Sequence, residues 1–135
     1  MLNSPIIRAR ALALAARLER EKPNSIKQQV QLAFQLTHQR FPNEDELKMC
    51  FEHLKIFTEQ HKSNPQEEIE KPMYVIRRMV EEMTGLAFWW VEDLDVYAGG
   101  EYKPDLKPWD VGIETLAMGD LCLVLFNSNE FVYVY

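Results

Sequence analysis

Cysteine is scarce in this 135-residue chain, with only Cys50 and Cys122, and histidine occurs three times. Two cysteines cannot build a paired-cysteine zinc site, and neither lies in a Cys-x-x-Cys-His haem-attachment sequence. No run approaches 18 apolar residues, which argues against a membrane-spanning segment. The opening Met-Leu-Asn-Ser-Pro lacks a basic stretch followed by an apolar one and does not read as a signal peptide. Five glycines and seven prolines are too few for a fibrous or low-complexity chain. Basic residues are also in deficit, 15 against 21 acidic ones for a net charge of −6, which argues against a nucleic-acid partner. Gly-rich phosphate loops, nucleophile elbows and His-Glu-x-x-His sequences are missing as well.

What is present is a core-forming composition: 47% hydrophobic and 27% charged residues in a length suited to one domain. Ser4-Pro5 is a helix-start signal, followed by Ile7, Ala11, Leu14 and Leu18 at helical spacing. Lys22-Pro23-Asn24-Ser25 ends that helix and caps a second, whose stripe is Ile26, Val30, Ala33 and Phe34. Asn43 with Glu46 three residues later forms a capping-box pattern before a third stripe of Leu47, Cys50, Phe51, Leu54 and Phe57. Pro72 to Met83 reads as a fourth helix, with Ile76, Met79, Val80 and Met83 inside and Gly85 at its end. Residues 86–112 read as a long, irregular, aromatic loop. Ile113–Phe126 is a very apolar fifth helix, and residues 131–135 form an extended apolar tail.

The expected fold is therefore all-α. It is a compact bundle of about five helices in one domain spanning 1–135, with a three-helix segment at 1–64. The segment 65–135 supplies the fourth helix, the loop, the buried terminal helix and the tail. Residues 1–64 carry ten basic and seven acidic side chains, while 65–135 carry five and fourteen. That asymmetry fits either mutual attraction of the halves or an acidic solvated face.

Candidate chemistry is sparse. His38, His53 and His61 read as helix-surface residues, because two turns separate His53 from His61 and place them too far apart to share an ion. Asp93-x-Asp95-x-Tyr97-x-Gly99 has a calcium-loop look, yet Ala98 and Pro104 stand where such a loop needs Gly and Glu. Cys50 and Cys122 lie in apolar helical patterns and behave as small buried hydrophobes, with a disulfide between them left open. Trp89, Trp90, Tyr97, Tyr102 and Trp109 form the best candidate binding surface; the competing role for these rings is to seal the loop onto the bundle. No cofactor, metal or catalytic constellation is indicated, so the sequence points away from an enzyme.

Three strings taken together resemble a known family. They are Asn3-Ser4-Pro5, then Gln39-Arg40-Phe41-Pro42-Asn43-Glu44-Asp45-Glu46-Leu47, and the run from Gly119 to Tyr133 containing Asn127-Ser128-Asn129-Glu130. They are similar to the C-terminal domain of unknown function of large planctomycete-type cytochrome c-associated proteins, over about residues 1–64 and 105–135. Asn43 stands where Thr or Ser is usual in that family, and Gln39 where Gly is common. The resemblance implies a domain excised from an exported, periplasmic or cell-surface parent with a haem domain elsewhere, and it implies no catalytic residues. Without that parentage the chain reads as cytoplasmic.

Asn43, Glu46, Asn127, Ser128, Asn129 and Glu130 are read as structural groups that satisfy helix ends. The first functional expectation is a non-catalytic scaffolding module that binds other domains of its parent or another protein. Alternatives are a carbohydrate-binding or carbohydrate-processing domain using the Trp/Tyr loop, and a free-standing helical adaptor. Neither nucleic-acid binding nor membrane insertion is expected.

Overall fold

A computed structural model of the chain describes residues 4–68, 72–94, 104–128 and 131. Three helices come first: α1 (Pro5–Glu21), α2 (Ile26–His38) and α3 (Glu44–Ser63). Strands β1 (Tyr74–Val80) and β2 (Ala87–Asp93) follow, then a single 3₁₀ turn (Pro108–Asp110) and α4 (Ile113–Phe126).

Each early helix begins where a side-chain oxygen satisfies an otherwise orphaned amide. Ser4 Oγ accepts from the Ile7 amide and Ser25 Oγ from the Gln28 amide, both at 3.3 Å. At α3 the exchange is reciprocal: Asn43 Oδ1 accepts from the Glu46 amide, and Glu46 Oε2 from the Asn43 amide, each at 2.8 Å. The turn before α3 is made by Gln39, which closes α2 in the left-handed region (φ 57°, ψ 22°). A residue with a Cβ is strained there, whereas Gly is not.

The helices share one interior. Ala11, Ala15 and Leu18 of α1 meet Val30, Ala33 and Phe34 of α2, Cys50 and Leu54 of α3, and Ala117, Met118, Leu121, Cys122 and Leu125 of α4. Helix α4 is apolar nearly all round and packs chiefly on α1 and α3, as a helix without a polar face must. Full burial of a leucine such as Leu18 or Leu121 stabilises by about 1.5–3 kcal/mol. Helices α1 and α4 approach closely at Gly119, where an added Cβ would lie 3.4 Å from Leu12 Cδ1 and 3.5 Å from Leu12 Cα.

The all-α expectation is corrected to α+β, with four α-helices and a two-stranded antiparallel sheet among the described residues. Residues 72–83, expected as a helix, instead supply β1, and residues 86–112, expected as an irregular loop, contain β2 and the 3₁₀ turn. Tyr74-Val75-Ile76 and Phe88-Trp89-Trp90-Val91 are aromatic and β-branched runs that pack well on a pleated surface. Each supplies the other with backbone partners, in a register pairing Ile76 with Val91, Arg78 with Trp89 and Val80 with Ala87. Gly85 has positive φ (69°) as the helix-end reading required, but it serves the hairpin turn. That turn is stitched by Glu81, whose carboxylate accepts from the Met83 and Thr84 amides and the Thr84 hydroxyl. These bonds, led by the Thr84 hydroxyl, hold its pKa below the usual carboxylate value.

The chain divides into two compact units, a helical one of Met1–Glu67 with Asp105–Tyr135 and a hairpin unit of Glu68–Pro104. No described helix is long and apolar enough to cross a membrane.

Candidate functional site

Alternation along a strand sends Trp89 and Trp90 to opposite faces of the hairpin. On one face Trp89 lies with Ile76, Arg78, Val80, Ala87 and Val91. On the other, Trp90 shares its surface with Arg77, Met79 and Phe88. Phe88 and Trp90 stack at 5.8 Å between ring centroids, and Arg77 Nε donates to Glu92 Oε2 at 2.7 Å, so this second face is partly self-satisfied. Among the described residues, no ring stacking or ion pair links Ile76, Arg78, Val80, Ala87, Trp89 and Val91 on the Trp89 face. Trp89 is 68% exposed against 39% for Trp90, and Ile76, Val80 and Val91 are exposed beside it. An open hollow of about 470 Å³ is lined by Ile76, Arg78, Ala87, Phe88 and Trp89.

Trp109 belongs to the helical unit, half-buried in the 3₁₀ turn, while Tyr97 and Tyr102 lie outside the described residues.

The polar groups at helix ends are engaged in hydrogen bonds. Arg40 forks onto Glu46 with bonds of 2.6 and 2.8 Å. Those bonds, helped by the Asn43 amide and the charges of Arg40 and His38, pull the Glu46 carboxyl down to about 2. Asn127 Nδ2 donates to the Leu123 carbonyl at 2.8 Å, and Ser128 Oγ to the Leu125 carbonyl at 2.7 Å. Asn129 and Glu130 lie outside the described residues.

Two histidines have distant partners that sequence spacing did not suggest. His61 Nε2 meets Asp120 Oδ2 at 2.7 Å, joining α3 to α4. His38 Nε2 meets Ser128 Oγ at 2.7 Å, joining the ends of α2 and α4. Ser128 Oγ also lies within hydrogen-bond distance of the Leu125 carbonyl, and His38 Nδ1 within 2.8 Å of Thr37 Oγ1, so the direction of the His38–Ser128 bond follows the imidazole tautomer.

Cys50 and Cys122 are free and buried. Burial pushes Cys122 up to about 12 and, with the charge of Glu46, Cys50 up to about 11, so neither is a ready thiolate. Among the described residues no three His, Cys, Asp or Glu side chains converge to hold a metal. No protein-family model, curated protein or solved structure matches this chain.

Proposed function

We propose that this chain is a non-catalytic interaction module that receives another polypeptide on the Trp89 face and free edges of its hairpin. The observation that carries this reading is a two-stranded sheet presenting Trp89, Ile76, Val80 and Val91 to solvent on one face. A hairpin of two strands is marginal on its own and gains from a third strand or a packed surface. Among the described residues both outer edges lack a neighbouring strand, and residues 87–91 hold no Lys, Pro or acidic residue to blunt pairing. An extended segment added there gains main-chain hydrogen bonds, while an indole supplies the kind of anchor on which interface energy concentrates.

The partner in this reading is another domain of the parent polypeptide. The resemblance of the 1–64 and 105–135 strings to the cytochrome c-associated family supports that parentage, which the full-length coding sequence tests by the presence of an upstream export signal and Cys-x-x-Cys-His. For binding, the chain is titrated with the remainder of its parent expressed separately. Trp89→Ser with Val91→Ser is expected to weaken association tenfold or more while the helical melt stays unchanged. Equal affinity overturns the reading, and self-association abolished by the same pair would make a second copy the occupant instead.

The exposure of Trp89, whose indole has no ring partner among the described residues, favours one alternative, stacking on a sugar face. A glycan-array signal lost in Trp89→Ala would select it.

A further inference from the structure

Arg77 and Arg78 are adjacent in β1 and therefore point to opposite faces of the hairpin. Arg77 is neutralised within the hairpin, because its Nε donates to Glu92 Oε2 at 2.7 Å. Arg78 stands in the middle of the Trp89 face, directly across from Trp89 and two residues from both Ile76 and Val80. Among the described residues its guanidinium has no ion pair and no hydrogen-bond acceptor. The carboxylate that shares this face, Asp93, stands opposite Tyr74 at the end of the sheet. The four residues from Tyr74 to Arg78 span about 13 Å of strand.

An exposed guanidinium is satisfied by water and needs no protein partner. That changes once a polypeptide covers the Trp89 face. Among the described residues β1 has β2 as its one neighbouring strand, so a segment added along the other edge of β1 places Arg78 between Trp89 and the new chain. A charge stripped of water without a partner is costly, and a segment that left Arg78 unpaired would forfeit much of what contact with Trp89 and Ile76 contributes. A segment that presents a carboxylate gains a charge-assisted, bidentate pair instead. The open hollow of about 470 Å³ gives such a side chain room, since Arg78 and Trp89 both line it, together with Ile76 and Ala87.

We infer that the partner segment is acidic as well as apolar and carries a Glu or Asp side chain into this hollow against Arg78, an inference that rests on the reading of the Trp89 face as the docking surface. The alternation of a strand fixes the surrounding pattern. With the acidic residue opposite Arg78, the residues two positions before and after it fall opposite Ile76 and Val80. The recognised sequence is therefore apolar-x-acidic-x-apolar. A basic residue at its centre meets Arg78 and is selected against.

The probe is a phage-displayed library of short random linear peptides, panned on the full chain and counter-screened on the protein carrying Trp89→Ser and Val91→Ser. Peptides that need the Trp89 face are expected to share the apolar-x-acidic-x-apolar pattern. For a selected peptide made synthetically, fluorescence polarisation should show binding weakened tenfold or more by Arg78→Gln, and equally by converting the peptide's acid to its amide. The two losses should not add in a double-mutant cycle. Arg78→Glu should restore binding to a peptide with lysine in place of the acid, a recovery that also shows the hairpin formed in that variant. Face-dependent peptides without an acid, or with one whose binding ignores Arg78→Gln, would overturn the carboxylate pairing and leave the docking face standing. If no peptide distinguishes the intact chain from the Trp89→Ser, Val91→Ser protein, the docking reading falls and the pairing with it.

Discussion

At the scale of single residues, Glu46 does the most local work, because one carboxylate closes the α3 capping box and receives the Arg40 fork. Its folded pKa of about 2 lies below the unreacted value of 4.5, so folding favours the ionised form. The resulting stabilisation is fully present above pH 4.5 and is lost as pH falls through the interval to about 2. Glu46→Gln keeps a cap-forming oxygen and removes the charge. The Arg40 pair is partly exposed, so a loss of about 0.5–1 kcal/mol is expected at pH 7. Urea titrations of both proteins from pH 7 to pH 2 should converge at the acid end; a constant gap would show that the charge is not the cause. This cap is legible in the sequence because its partners lie within three residues of one another. The His61–Asp120 and His38–Ser128 bonds are not, because their partners meet only after α4 has packed against the earlier helices.

Helices and strands differ in how much of their cause is local. Ser4-Pro5, Ser25 and Asn43 announce α1, α2 and α3, and the density of apolar residues from Ile113 to Phe126 announces α4. The spacing of Ile76, Met79, Val80 and Met83 fits a helical stripe, and only the pairing of β1 with β2 decides otherwise. That pairing also explains why neighbouring tryptophans make two surfaces rather than one. The α1–α4 contact is a different case, in which a small residue permits a close approach. At Gly119 an alanine Cβ meets Leu12 at ordinary contact distance, so the gain in helix propensity should prevail. Gly119→Ala is expected to raise stability by about 0.5–1 kcal/mol. Gly119→Val directs a further branch toward the Leu12 backbone, where overpacking should cost about 1–3 kcal/mol. Thermal melts separate the two, and an alanine variant as unstable as the valine one would show that the contact tolerates no added atom.

For the molecule as a whole, every described residue of the helical core cluster comes from α1, α2, α3 or α4. Stability should therefore belong to the helical unit, and partner binding to the hairpin. Replacing residues 72–94 by a Gly/Ser segment of equal length leaves the closing loop unchanged in length, so its entropic cost changes little. The replacement is expected to keep the helical circular dichroism and to move the melting midpoint by no more than a few degrees. Association with the parent polypeptide should disappear in the same protein. Loss of cooperative melting would instead make the hairpin part of what folds the helices. Retained association would move the docking surface onto the helical unit, where Met49, Phe51 and Ile56 of α3 are among the exposed apolar residues to examine next.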